Sequence, residues 1–249
     1  GASAPFCLKN ICAWFMLKIM ETPNQGIGTL AEKSLHAFVK NHIEPNALHH
    51  EIKLMGYHVD IFNAQGVVEI QTRQLYKLKA KLDVLLMEYP VTIVHPIPAT
   101  KTLIWVDPVT YEATKERKSP KKGSIYDAVR ELYGLKDRIG HPNLAIVLIF
   151  YDLRETRWLN GWSQDRKKGS VRHDREPVAW IETITLGSKQ DYLAFLPSTL
   201  CEPFTVKAIA EHTPLNERNA SLLVGLLKYL KLIEHIGKKG RAYLYQRSH

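Results

Sequence analysis

The chain has 249 residues with a net charge of +9; 45% are hydrophobic and 24% charged, the balance of an ordinary globular protein. No run approaches the roughly 20 apolar residues of a membrane span, which excludes that class. Cys7, Cys12 and Cys201 form no CxxC pair and no His-Cys cluster at zinc spacing, so a reducing, intracellular, cytoplasmic setting is expected.

Residues 1–27 are set aside as an N-terminal extension. Within them "ICAWFML", residues 11–17, lies between Lys9 and Lys18 and is followed by no small-residue cleavage site, so no signal peptide is expected. "GTLAEKSLHAFVKNHI", residues 28–43, places Leu35, Phe38, Val39 and Ile43 at helical spacing. Thr29 and Glu32 form a capping-box pattern, and Pro45-Asn46 stop the helix.

A short strand, "HHEIKLM", leads into "GYHVDIFNAQGVVEIQTR", residues 56–73. Strict alternation about a Gly-containing turn predicts a β-hairpin. His58, Asp60 and Phe62 are expected to point one way, Val59 and Ile61 the other. Beyond the turn, Glu69, Gln71 and Arg73 alternate with Val68, Ile70 and Thr72. Paired in register, Asp60, Glu69 and Gln71 share a face. Two neighbouring carboxylates repel, so a positive group is expected between them.

"QLYKLKAKLDVLLMEY", residues 74–89, predicts an amphipathic helix with Leu75, Leu78, Leu82, Leu85 and Tyr89 inward and Lys77 and Lys81 outward. "VTIVHPI" and "KTLIWVD" read as two strands, "SIYDAVRELYGL" (124–135) as a helix, and "LAIVLIFYDL" (144–153) as a central strand. The basic segments "KERKSPKK" (115–122) and "RKKGSVRHDR" (166–175) read either as solvated loops or as phosphate-contacting loops. A boundary near "LPSTLCEP" divides a domain at 28–197 from one at 198–249.

The order is helix, three strands, helix, strand, with Asp60 on one strand and Glu69-Ile70-Gln71 on the next. Over roughly residues 28–155 this α/β arrangement resembles the PD-(D/E)xK, restriction-endonuclease-like nuclease superfamily. The resemblance implies a Mg²⁺ ion, with Mn²⁺ as a substitute, held by Asp60, Glu69 and the Ile70 carbonyl, with Glu32 as a third acid. Phosphodiester hydrolysis suits that set, because a hard cation both stabilises phosphoryl charge and activates water. Gln71 stands where the family usually has Lys. Gln can orient a water but adds no charge, so a cation such as Lys53, Lys77 or Arg73 would have to compensate.

In residues 203–247, Thr205 caps a short helix, "TPLN" turns, "NERNASLLVGLLKYLKL" is a longer helix, and "IEHIG" and "AYLYQR" flank the basic turn "KKGR". This segment resembles a winged helix-turn-helix. It holds five Lys and three Arg against three Glu. The resemblance implies Asn216, Arg218, Asn219 and Ser221 near base edges, and Lys238, Lys239 and Arg241 at phosphates. The expected function is a Mg²⁺-dependent endonuclease on double-stranded DNA, dimeric if both strands are cut. A regulator that binds DNA without cutting is the alternative, and a structure-specific or RNA nuclease a third reading.

Overall fold

A computed structural model describes residues 31–113, 116–159 and 170–248, and excludes the side chains of 31–34, 171 and 172. The N-terminal extension, Thr29, Cys7, Cys12 and residues 166–169 of the second basic segment lie outside the described residues, as does the side chain of Glu32.

Helix α1 (Ala31–Ile43) leads into an antiparallel meander, β1 (His50–Leu54), β2 (Tyr57–Asn63) and β3 (Gly66–Ile70). Gly66, at φ +114°, makes the turn, and a Cβ there would lie 2.4 Å from the Pro90 carbonyl oxygen, so only glycine fits. A 3-10 turn (Leu75–Leu78) and helix α2 (Lys79–Glu88) cross over to β4 (Val91–Val106), which runs parallel to β3. Then come the short β5 (Arg117–Lys118), helix α3 (Val129–Gly134), β6 (Leu144–Trp158) and β7 (Val171–Leu186). The sheet is seven-stranded in the order β1-β2-β3-β4-β6-β7, with β5 on the side of β4. The expected centrality of β6 follows from its pairing on both flanks.

Two apolar clusters sandwich this sheet. On one face Leu35, Val39 and Ile43 of α1 meet Ile61, Val68, Ile70, Val94 and Val147. On the other, Leu82, Leu85 and Leu86 of α2 and Val129 and Leu132 of α3 meet Val67, Val91, Ile93 and Ile146. Truncating one such buried leucine costs about 2–5 kcal/mol.

Three expectations are corrected. The strands expected at 91–97 and 101–107 are one strand, despite Pro96 and Pro98. Gln71 donates its N–H to the Val94 carbonyl, so Val94 faces β3, and Pro96 and Pro98 face the same way. There β3 has already ended, so no ladder bond is lost to the missing N–H groups. Residues 171–175, read as part of a loop, belong to β7, and Arg117-Lys118 pair with β4.

The C-terminal elements are helix α4 (Val206–His212), helix α5 (Glu217–Tyr229), β8 (Ile233–Lys239) and β9 (Ala242–Arg247). Phe204 bridges Tyr245, adding one rung to the hairpin. Their core of Ile209, Leu223, Leu226 and Leu227 is continuous with the α2/α3 side of the sheet, through Tyr192, Phe195 and Leu200. The boundary expected at 197/198 therefore falls inside one shared core.

Candidate active site

The β2–β3 ladder runs from Asn63–Gly66 to Ile61–Val68 and stops there. The next rung would be Asp60 with Glu69. Instead each side chain replaces a backbone bond: Asp60 Oδ2 accepts the Ile70 N–H at 2.7 Å, and the Glu69 carboxyl accepts the Asp60 N–H. The strands part at this point, and the two carboxylates stand in the gap.

The expected common face is not what results. Val59 joins the cluster under α2, whereas Ile61 joins the one under α1, so the alternation of β2 breaks at Asp60. Asp60 turns toward α1, where its Oδ2 lies 3.1 Å from His36 Nε2. Glu69 turns toward α2 and is ion-paired with Lys81, whose side chain is only 15% exposed. Lys81 also donates to the His58 carbonyl of β2. The single positive group expected between the carboxylates is replaced by two partners, Lys81 for Glu69 and His36 for Asp60, and Lys53 and Lys77 are in neither pair.

Burial alone would raise the Asp60 carboxyl, but the hydrogen bond and charge of His36, the Ile70 N–H and Lys40 hold it below the ordinary range. His36 is raised in turn, chiefly by its bond to Asp60. Glu69 behaves oppositely. Burial, aided by the Asp60 charge, pushes it up to about 7, against the pull of Lys81. The gap therefore holds one firmly ionised acid and one poised near neutrality, the separation useful in acid–base and metal chemistry.

His36, Glu51 and Asp60 each present a ligand atom within 4.8 Å of the others, a set able to hold a metal ion. Glu51 is at present ion-paired with Lys40. His36 was not singled out in the sequence. Its signal was position: it stands one helical turn after Glu32.

Of the other expected residues, Ile70 is in place, since its N–H faces β2 and its carbonyl shares that direction. Gln71 is held elsewhere: its Nε2 donates to the Arg73 carbonyl at 2.6 Å. Its own carbonyl accepts from His95 Nδ1 at 2.8 Å.

At the C-terminal end, Arg218, Ser221, Lys238, Lys239 and Arg241 are exposed and Asn219 is half-buried. Asn216 is the N-cap of α5, its side chain accepting the Asn219 N–H at 2.9 Å, so its oxygen is already used. Lys238 Nζ stands 4.8 Å from the Tyr243 ring centroid. The α5 face that carries Arg218 and Ser221 continues through Gly225 and Tyr229, and there it meets α3. A Cβ on Gly225 would lie 2.9 Å from the Tyr133 ring, and Lys136 Nζ sits 4.0 Å from the centroid of that ring. Only the first turn of that face is left open for a groove.

Fold and site together define a three-layer α/β domain with paired carboxylates at a parting of strands. Residues 33–187 match the family described as "Domain of unknown function (DUF8091)", and the chain belongs to that family. The match takes in α1 through β7 and ends before the C-terminal helices. The chain is also similar to an uncharacterized protein of Treponema pallidum (strain Nichols), 26% identical over 169 residues, which are 67% of this chain and 64% of that protein. The chain thus spans less than two thirds of that relative. No solved structure matches. Among the described residues no helix is long and apolar enough to cross a membrane.

Proposed function

We propose that the protein is a metal-dependent phosphodiesterase of restriction-endonuclease-like type that cuts intracellular DNA. One observation carries the reading: Asp60 and Glu69 stand at the point where β2 and β3 part, each accepting a backbone N–H of the other strand, Asp60 turned to His36 on the α1 side and Glu69 to Lys81 on the α2 side. The succession of helix, antiparallel meander, crossover helix and parallel strand supports it.

The donor set fits a divalent cation. Asp60, with His36 and Glu51 within 4.8 Å, would hold it on the α1 side, and Glu69 would join Asp60 and the Ile70 carbonyl only by turning from Lys81 through the strand gap; the His36 imidazole favours Mn²⁺ alongside Mg²⁺. Such an ion supplies phosphoryl charge stabilisation and an acidified water. Lys81 supplies the positive charge that Gln71 lacks, and its flexible stem can turn from Glu69 to a phosphate oxygen or hydroxide. His36 keeps Asp60 ionised and oriented. The wing cations Lys238, Lys239 and Arg241 suit a duplex backbone. Two copies, one per strand, would make a double-strand cut.

The test is plasmid, single-stranded DNA and RNA incubated with the protein in Mg²⁺, in Mn²⁺ and in EDTA. Cleavage is expected with either ion and lost in EDTA and in Asp60→Asn or Glu69→Gln. No cleavage of any substrate with either ion overturns the reading. The alternative, a DNA-binding regulator that does not cut, is favoured by one observation. Lys81 already satisfies Glu69, and the Gln71 amide is bonded to Arg73. Duplex binding without cleavage, unaltered in Asp60→Asn, would select it.

A further inference from the structure

The parting of strands takes in a third acid. The β1–β2 ladder pairs His50 with Ile61 and Ile52 with Val59, and passes over Glu51 and Asp60 between them. The β2–β3 ladder stops before Asp60 and Glu69. Glu51, Asp60 and Glu69 therefore form one row across three strands, and both ladders open at it. Glu51 stands there at φ +52°, in the left-handed region that a glutamate seldom adopts.

The α1 side of this row already holds a positive charge. Lys40 follows His36 by four residues, so the two share a face of α1. The Lys40 ammonium is ion-paired with Glu51, its one ion-pair partner among the described residues, and its charge also acts on His36 and on Asp60. The paired side chains differ in freedom: that of Lys40 is 11% exposed, that of Glu51 61%. Glu51 is thus the member able to swing. His36 Nε2 and Asp60 Oδ2 lie 3.1 Å apart. Two ligands on one ion, each at roughly 2.1 Å from it, stand about 3 Å apart, so this pair is already at ligand spacing.

We propose that Lys40 is an internal competitor for the metal: a divalent cation arriving at His36 and Asp60 takes Glu51 from Lys40, and this exchange sets how much free ion is needed to load the site. The proposal rests on the metal-dependent reading of these residues and adds what controls their loading. A divalent ion has twice the charge of an ammonium and coordinates the carboxylates and the imidazole directly, so it can win the exchange. The proton between His36 and Asp60 leaves as the ion enters, because the ion needs the imidazole lone pair. The buried stem of Lys40 keeps its ammonium close by, so the ion is opposed by that charge as well as by the lost ion pair.

The test is calorimetric titration of the full chain with MnCl₂ at one fixed pH, without nucleic acid. Saturable binding is expected. Lys40→Met, which keeps an apolar stem, should bind Mn²⁺ about tenfold tighter, and Glu51→Gln about tenfold weaker, the size of one charged contact in each case. On the Glu51→Gln background, Lys40→Met should tighten binding far less, because the exchange it relieves is gone. Equal tightening with and without Glu51 would make Lys40 a distant charge only and overturns the exchange. Wild-type affinity in Lys40→Met overturns it too, as does the lack of Mn²⁺ binding in both proteins. Glu51 is exposed, so Glu51→Gln leaves packing intact and carries the test by itself where Lys40→Met does not fold: wild-type affinity there overturns the proposal. The exchange seen in titration, with no cleavage of any substrate, removes the nuclease reading alone. Mn²⁺-dependent cleavage, with Lys40→Met and wild type alike in the titration, removes the exchange alone.

Discussion

Lys81 of α2 is ion-paired to Glu69 of β3 and simultaneously donates to the His58 carbonyl of β2. It thereby bridges the two strands at the point where their ladder stops. A single ammonium closes the gap and pulls the buried Glu69 carboxyl back toward its ionised form, against the burial that raises it to about 7.

Lys81→Met should lower single-turnover cleavage by about 10²–10³-fold, the usual loss for one positioned charge-stabilising group. Duplex affinity, which the proposed function assigns to Lys238, Lys239 and Arg241, should change little. Lys81→Arg should restore part of the rate. An unchanged rate in Lys81→Met would remove this side chain from the chemistry.

Stability should depend on pH through Glu69. Its folded pKa, about 7, lies above the ordinary 4.5, so the folded chain holds this proton more tightly than the unfolded chain. Its contribution is complete below about pH 4.5 and is lost as pH rises through about 7, amounting to about 3 kcal/mol at most. His36, also raised, acts in the same direction; Asp60, lowered, acts only in acid, where its contribution is lost as pH falls. Urea unfolding in EDTA should show lower stability at pH 8 than at pH 5, and a smaller fall in Glu69→Gln. Mn²⁺ should reverse the loss at pH 8 by binding the ionised pair.

Asp60→Asn should abolish cleavage yet fold, because an amide oxygen can still accept the Ile70 N–H. Asp60→Ala leaves that N–H without its partner and should cost about 1–3 kcal/mol in urea unfolding. Equal stability of the two variants would count against a structural role for the bond.

Gln71→Ala should change the cleavage rate by only a few-fold, because its amide is bonded to the Arg73 carbonyl rather than to the carboxylates. A loss as deep as that in Lys81→Met would show that the amide turns toward the carboxylates when substrate binds.

Replacing Lys238, Lys239 and Arg241 together by Ala should weaken duplex binding and reduce the salt slope by about 3, one unit for each lost phosphate contact. These substitutions are preferable to deletion of residues 203–248, which would strip apolar surface from α3 and the 3-10 turn Ile125–Ala128 before it. An unchanged slope would make the hairpin a protein-contact element.

How much of this was legible in the sequence depended on how local each cause was. The hairpin that carries Asp60 and Glu69 was legible because alternation and turn chemistry act within it, but the break of alternation at Asp60 that parts the two carboxylates was not. Lys81 was placed outward because a uniform helix was assumed from residue 74. The 3-10 turn at Leu75–Leu78 advances about 120° per residue rather than 100°, which accumulates to about 80° over four residues. That shift in phase carries Lys81 inward. His36 carried no local sign, since its partner lies on another element. β7 escaped notice because residues 172–176 are all polar or charged, and its contact with α1 runs through the His42–Trp180 stack rather than through a run of alternating apolar residues.

The meeting of Gly225 with Tyr133 has a mechanical consequence. The hairpin of Lys238 and Arg241 and the strand gap of Asp60 and Glu69 belong to one solid, since any swing between them must open a common apolar interior. The span between the two places is constant, like the jaws of a fixed gauge. Under the proposed function, a duplex held at both would have to do the bending itself, and sequences that bend easily would be held at the lower elastic cost.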